Sequence, residues 1–173
     1  MKIKHLLFMT ALVATLASCG ESNPFLKEYT TYRETPPFAE VKTEHFKPAY
    51  LEGMKQQNAE IEAIVNNPEA PTFENTIEAM EYAGGTLTRV AGIFFNVNEA
   101  NTSEQMQKVA EQVMPMLNDY SMYVSLNVPL FERVKSVYEQ RDNLSLEPDQ
   151  LKLLENAYKS FSRSGANLSD QDK

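Results

Sequence analysis

The side chains best suited to metal or nucleophilic chemistry are few in this sequence: two histidines, His5 and His45, and one cysteine, Cys19. Glu44-His45 does not form a zinc-binding pair. HExxH chemistry needs two imidazoles four residues apart on one helix face, with the glutamate as base. A lone imidazole makes no metal site, and His45 reads as a polar residue in the first turn of a helix. Glu60, Glu62, Glu78 and Glu81 fall on what read as solvated helix faces rather than as a paired acid and base. GxSxG, P-loop and GxGxxG patterns are absent. The residues therefore assign no catalytic, metal-ligating or cofactor-binding side chain to the chain.

His5 and Cys19 lie in a separate N-terminal segment. Lys2 and Lys4 precede residues 6–17, which are apolar or small apart from two threonines. Twelve helical residues rise about 18 Å, short of the roughly 30 Å of a bilayer core, so the stretch reads as an export signal rather than a permanent span. Leu16-Ala17-Ser18-Cys19-Gly20 resembles the lipobox of bacterial lipoproteins. That resemblance implies acylation of Cys19, cleavage just before it, export from a bacterial cytoplasm and anchoring to the cell envelope. Two or three acyl chains, at about 0.8 kcal/mol per buried CH₂, hold a protein on a membrane. The organisation expected is a signal over 1–18, a tether and extended arm over 19–41, and a folded domain over 42–173.

Loss of residues 1–18 removes Lys2 and Lys4 from the 16 basic residues and none of the 24 acidic ones, taking the net charge from −8 to −10. A polyanion is a poor partner for such a surface, and nucleic acid is excluded on that ground. With Cys19 the only cysteine, no internal disulfide can form, and the domain must rest on apolar burial. Residues 20–41 hold three prolines and no helical period; Phe25, Tyr29, Tyr32 and Phe38 are expected to latch this arm onto the domain.

Beyond the arm the period is helical throughout, and the fold class expected is all-α, with about five antiparallel amphipathic helices. The first opens at Thr43, with Pro48 tolerated in its opening turn; Phe46, Tyr50, Met54, Ile61, Ile64 and Val65 face inward, and Asn66-Asn67-Pro68 stops it. Residues 68–101 read as one long buried helix, capped by Asn75 with Glu78 three residues on. Its apolar face would be Ile77, Met80, Leu87, Val90, Phe94 and Val97, and Gly84 and Gly85 within it would admit a close neighbouring helix. Thr102 with Gln105 offers a capping box for a third helix through Met106, Val109, Val113, Leu117, Tyr120 and Val124, bent or split near Met114 by Pro115. Asn127-Val128-Pro129 opens a fourth, with Leu130, Val134 and Val137 inward. Residues 145–148 open a fifth, with Leu151, Leu154, Tyr158 and Phe161 inward and Gly165 as its left-handed stop. The methionines fall largely at core positions and read as filler.

Several separated blocks then carry a resemblance: Pro37-Phe38, Glu44-His45-Phe46-Lys47-Pro48-Ala49, PTFENTIEAME from Pro71, LTRVAGIFFNVNEANT from Leu87, Asn127-Val128-Pro129-Leu130-Phe131, Tyr138-Glu139-Gln140-Arg141 and Phe161-Ser162-Arg163-Ser164-Gly165-Ala166. In this order they resemble the N-terminal region of the thimet-oligopeptidase-like zinc peptidases, the peptidyl-dipeptidase branch above all. The resemblance implies a helical layer forming one wall of a deep channel that admits short peptides. It also implies zinc in the complete enzyme, where the metal polarises the scissile carbonyl, the HExxH glutamate activates water and a C-terminal dipeptide leaves. The HExxH motif and the third ligand belong to a catalytic domain further along such a chain, so no catalytic residue transfers to this one, which is expected to be inactive alone. The ending after Leu168 reads as the front piece of something longer. A stand-alone helical lipoprotein that binds peptides or a partner, and a structural envelope protein, are the other readings.

Overall fold

In a computed structural model the described residues are 23–166 and 168; the export segment and Cys19 lie outside them. All regular elements among them are helical, with no strand. Helix α1 (Phe46–Val65) follows a 3-10 turn at Thr43–His45. His45 Nδ1 accepts from the Lys42 backbone N–H at 3.0 Å, so the imidazole closes the helix start. Asn66 ends α1, as the Asn-Asn-Pro sequence predicts.

The region 68–101 departs from the single helix expected. It begins with a π-helical segment, Phe73–Glu78, passes into a short helix α2 (Ala79–Tyr82), breaks, and resumes as α3 (Gly85–Ala100). The cap is Thr72, whose hydroxyl accepts from Asn75 N–H while Asn75 Oδ1 accepts from Thr72 N–H. Asn75 is thus the third residue of the box rather than its cap. Gly84 sits at φ 81°, a left-handed conformation that ends α2 and opens α3. It also admits α1 closely, since a β-carbon on it would stand 2.6 Å from Cδ of Gln57, whereas around Gly85 a β-carbon would meet open space. A second close approach lies further along: a β-carbon on Gly53 of α1 would stand 3.0 Å from the Leu87 backbone of α3.

Helix α4 (Glu104–Ser125) is capped by Ser103, which accepts from Met106 N–H at 3.2 Å, one residue later than the Thr102 box. It runs unsplit through Pro115. The carbonyl that proline leaves without a helical donor is that of Glu111, an exposed residue, so water can serve it. Helix α5 (Val128–Glu139), capped by Asn127, starts as the sequence predicts and gives way at Gln140 to a 3-10 turn, Arg141–Asn143, that carries the chain past Asp142; α6 (Pro148–Ser164), stopped by Gly165 at φ 88°, starts and ends as the sequence predicts.

The apolar side chains gather in two clusters. One joins Phe25, Phe46, Ala49, Tyr50, Val90, Ile93, Phe94, Met106 and Val113; the other joins Ile61, Ile64, Phe73, Ile77 and the inner faces of α5 and α6. The first half of α1 feeds one and the second half the other. Phe25 goes deeper than a surface latch, fully buried with its ring 4.7 Å from that of Phe46, while Tyr32 and Phe38 stay exposed. Of the methionines described, Met54 and Met106 are buried, but Met114 and Met122 face solvent, which removes them from the core role expected.

A buried cation locks the loop after α1 to α5. Arg133, 9% exposed, donates through Nη1 to the Asn67 carbonyl at 3.0 Å and through Nη2 to Asn75 Oδ1 at 3.1 Å. Its terminal nitrogens meet neutral oxygens, not a carboxylate, and its buried Nε has no hydrogen-bond partner. Hydrogen bonds to a charged group contribute about 1.5–3 kcal/mol each net, so deleting the guanidinium removes several kcal/mol of anchoring from this loop.

Candidate functional site

Where the two clusters part, the helices leave an open groove of about 860 Å³. Helix α1 contributes Gln57, α2 Met80 and Glu81, α3 Leu87 to Gly92, α4 Leu117 to Ser125, and α6 Leu153 to Phe161. Its walls are mainly apolar, with a few polar groups such as Thr88, Asn156 and Ser160 set among them, the composition of a surface that receives apolar side chains. Gly92 of α3 faces open space on one wall, where a β-carbon would meet nothing within 4 Å.

Tyr120 is the one groove residue with perturbed acidity. Its hydroxyl is buried without a hydrogen-bond partner. Burial pushes the phenol up to about 12, and the neighbouring Tyr123 and Glu60 add to the rise. A phenol held neutral this firmly is a hydrogen-bond donor, not a base at ordinary pH. No histidine or cysteine lines the groove, so it offers a binding wall without a nucleophile and base in register.

Glu62, Glu78 and Glu81 occupy exposed faces, as expected of them. Glu60 does more than face solvent, because its Oε2 accepts the Gly84 N–H at 2.7 Å and so ties α1 to the left-handed break before α3. Gln57 reaches the same break, its Nε2 3.5 Å from the Ala83 carbonyl. These two contacts set the angle at which α3 enters the groove wall. Nothing in the local pattern marks them, because they join residues more than twenty positions apart. His45 is spent on the start of α1, and Cys19 lies outside the described residues. Among the described residues no group of three or more His, Cys, Asp or Glu side chains could hold a metal ion. The zinc that the family resemblance implies therefore does not fit the side chains described here.

Comparison with known proteins gives a family for this helical domain. Residues 48–173 match the family described as neurolysin/thimet oligopeptidase, N-terminal domain. The chain is 39% identical over 151 residues to a dipeptidyl carboxypeptidase of Escherichia coli K12, covering 87% of this chain and 22% of that protein. It is 38% identical to the dipeptidyl carboxypeptidase of Salmonella typhimurium, covering 88% of this chain and 22% of that one. Similarity to the oligopeptidase A of Salmonella typhimurium is 26% over 147 residues, 85% of this chain and 21% of that protein. The chain thus spans about a fifth of the length of the curated relatives it matches. From the family match and this shared helical region, the chain belongs to the neurolysin/thimet oligopeptidase family, to which it corresponds through the N-terminal domain.

Proposed function

We propose that the chain is the non-catalytic N-terminal portion of an exported zinc metallopeptidase of the peptidyl-dipeptidase type, which removes C-terminal dipeptides from short peptides. The helical layer forms one wall of the substrate channel, and Cys19 anchors the protein to the cell envelope. The observation that carries the peptidyl-dipeptidase assignment is the gap between two groups of relatives matched over much the same stretch. Identity is 38–39% to dipeptidyl carboxypeptidases and 24–26% to the oligopeptidases A. The apolar groove supports the wall role, since an open surface of that kind is suited to contact with apolar side chains. The basic start, apolar run and Cys19 support export and anchoring. Zinc chemistry belongs, in this reading, to residues outside this chain.

The test is made on the native product. Antibodies against residues 23–166 would capture it from its own cells, for measurement of its mass, its membrane partition and its release of dipeptides from an N-acetylated tetrapeptide. A membrane-bound polypeptide several times longer than this chain, with dipeptide release abolished by a chelator and restored by zinc, is the expected result. A native product that releases no dipeptide in the presence of zinc would overturn the proposal.

A further inference from the structure

We propose that the arm over residues 23–40 is a membrane-contacting face, with a lipid bilayer surface as its partner and Leu26, Tyr32 and Phe38 seated at the headgroup level. The inference rests on the acylation of Cys19 proposed above, and it begins from chain length. The fold takes hold at Asn23, whose side chain donates to the His45 carbonyl at 2.7 Å and accepts from Phe25 N–H at 3.1 Å. Phe25 is locked in the first core cluster. Four peptide spans separate Cys19 from Asn23, so their α-carbons stand at most about 14 Å apart. Headgroup layers are roughly 5–8 Å deep on each side of a bilayer. An acylated Cys19 leaves the domain no room to stand off.

Two properties of the arm suit that position. Beside the inward Phe25 and Tyr29 it turns three apolar groups toward solvent: Leu26 is 41% exposed, Phe38 58% and Tyr32 79%. Tyrosine and its neighbours at a water–lipid boundary place an apolar body inward and a polar tip outward. Arg33 and Glu34 follow Tyr32 at φ 54° and 55°, two successive left-handed non-glycine residues in an exposed turn. That turn is closed by local bonds, Glu34 N–H to the Thr31 carbonyl at 3.0 Å and Thr35 hydroxyl to the Tyr32 carbonyl at 3.0 Å. The second property is charge. The arm sets Lys27 and Arg33 against Glu28, Glu34 and Glu40, a net charge of −1, whereas nearly all of the acidic surplus lies beyond residue 50. An anionic lipid surface would repel the remainder of the molecule and leave the arm as the tolerated approach.

The chain contains no tryptophan, so a single substitution gives an unambiguous optical reporter. Acylated Tyr32→Trp, Phe38→Trp and, on α2, Tyr82→Trp proteins would be reconstituted in phosphatidylethanolamine–phosphatidylglycerol vesicles with brominated acyl chains. Tyr82 is 77% exposed and serves as the site away from the arm. Mass spectrometry of the N-terminal peptide reports the acyl state in the same samples. Indole emission at positions 32 and 38 should be blue-shifted and quenched at least twofold more than at position 82. Acylated protein with equal quenching at all three positions would overturn this inference alone. A Cys19 that carries no lipid in protein taken from its native cells would overturn the anchoring reading and this inference with it.

Discussion

Alanine at Gly53 and alanine at Gly92 should change stability in opposite directions, although both glycines lie inside helices and the substitution is chemically identical. Helix propensity alone favours alanine by about 0.8–1.0 kcal/mol at either site. At Gly53 the added β-carbon would stand 3.0 Å from both the α-carbon and the nitrogen of Leu87. Carbon pairs rest at about 3.5–4.0 Å, so α3 must move by roughly half an ångström. The obstacle is backbone, and α3 carries Val90, Ile93 and Phe94 into the first core cluster. Overpacking of this kind costs about 1–3 kcal/mol, and a backbone neighbour places it in the upper half of that range. The net expectation is about 1–2 kcal/mol of destabilisation for Gly53→Ala. A β-carbon at Gly92 meets nothing, leaving about 1 kcal/mol of stabilisation for Gly92→Ala. Urea unfolding of the chain from residue 20 onward is the assay. With a slope of about 1–3 kcal/mol/M the two midpoints should move apart, one down and one up, by roughly 0.3 M or more each at unchanged slope. If Gly53→Ala rises in midpoint as far as Gly92→Ala, the close approach of α1 and α3 is refuted.

Phe94, fully buried with its ring edge-on to Phe46 at 5.1 Å, should cost about 3–5 kcal/mol as Phe94→Ala, a large share of the about 5–15 kcal/mol available to a domain, read by the same unfolding curve. Arg133→Met keeps the volume and removes the charge; because the partners left behind are carbonyl and amide oxygens rather than a carboxylate, it should be far milder than Arg133→Ala, and equal losses would contradict that reading. Stability should be fully present below the ordinary tyrosine pKa of about 10 and fall as pH rises toward about 12, because the raised Tyr120 phenol must stay neutral in the fold while the unfolded phenol ionises first. Tyr120→Phe should make that alkaline slope shallower without removing it in a pH series of thermal melts, because burial raises the Tyr50 and Tyr29 phenols as well.

Much of this architecture was legible in the sequence where a helix end carries its own chemistry. Asn127 before Pro129, Pro148 after Glu147, and Gly165 each fix a boundary through a bond or dihedral that neighbouring residues decide alone, and all three stand where expected. The errors share a cause of the opposite kind. Asn75 lost the cap to Thr72 because it is drawn into bonds with Thr72, Thr76 and Arg133 at once, and Arg133 lies 58 residues away. Gly84 turned the chain because Glu60 waits on α1 to take its N–H, again a distant partner. The groove was illegible for the same reason. It is the gap between two clusters assembled from residues far apart in the chain, and periodicity reports which side of a helix is apolar but not which neighbour that side will meet.

Among the described helices, α1 alone gives buried side chains to both clusters, Phe46 and Tyr50 at one end and Ile61 and Ile64 at the other. Its twenty residues span about 30 Å at 1.5 Å per residue. The two ends are therefore held in a fixed phase as well as at a fixed distance. One residue inserted between Gly53 and Glu60 would rotate everything after it by about 100°, swinging Ile61 and Ile64 out of their cluster while Phe46 and Tyr50 stayed in theirs. Length variation in this domain should accordingly be confined to the links after α1, between α5 and α6, and in the arm, and the middle of α1 should tolerate substitutions but no change in count.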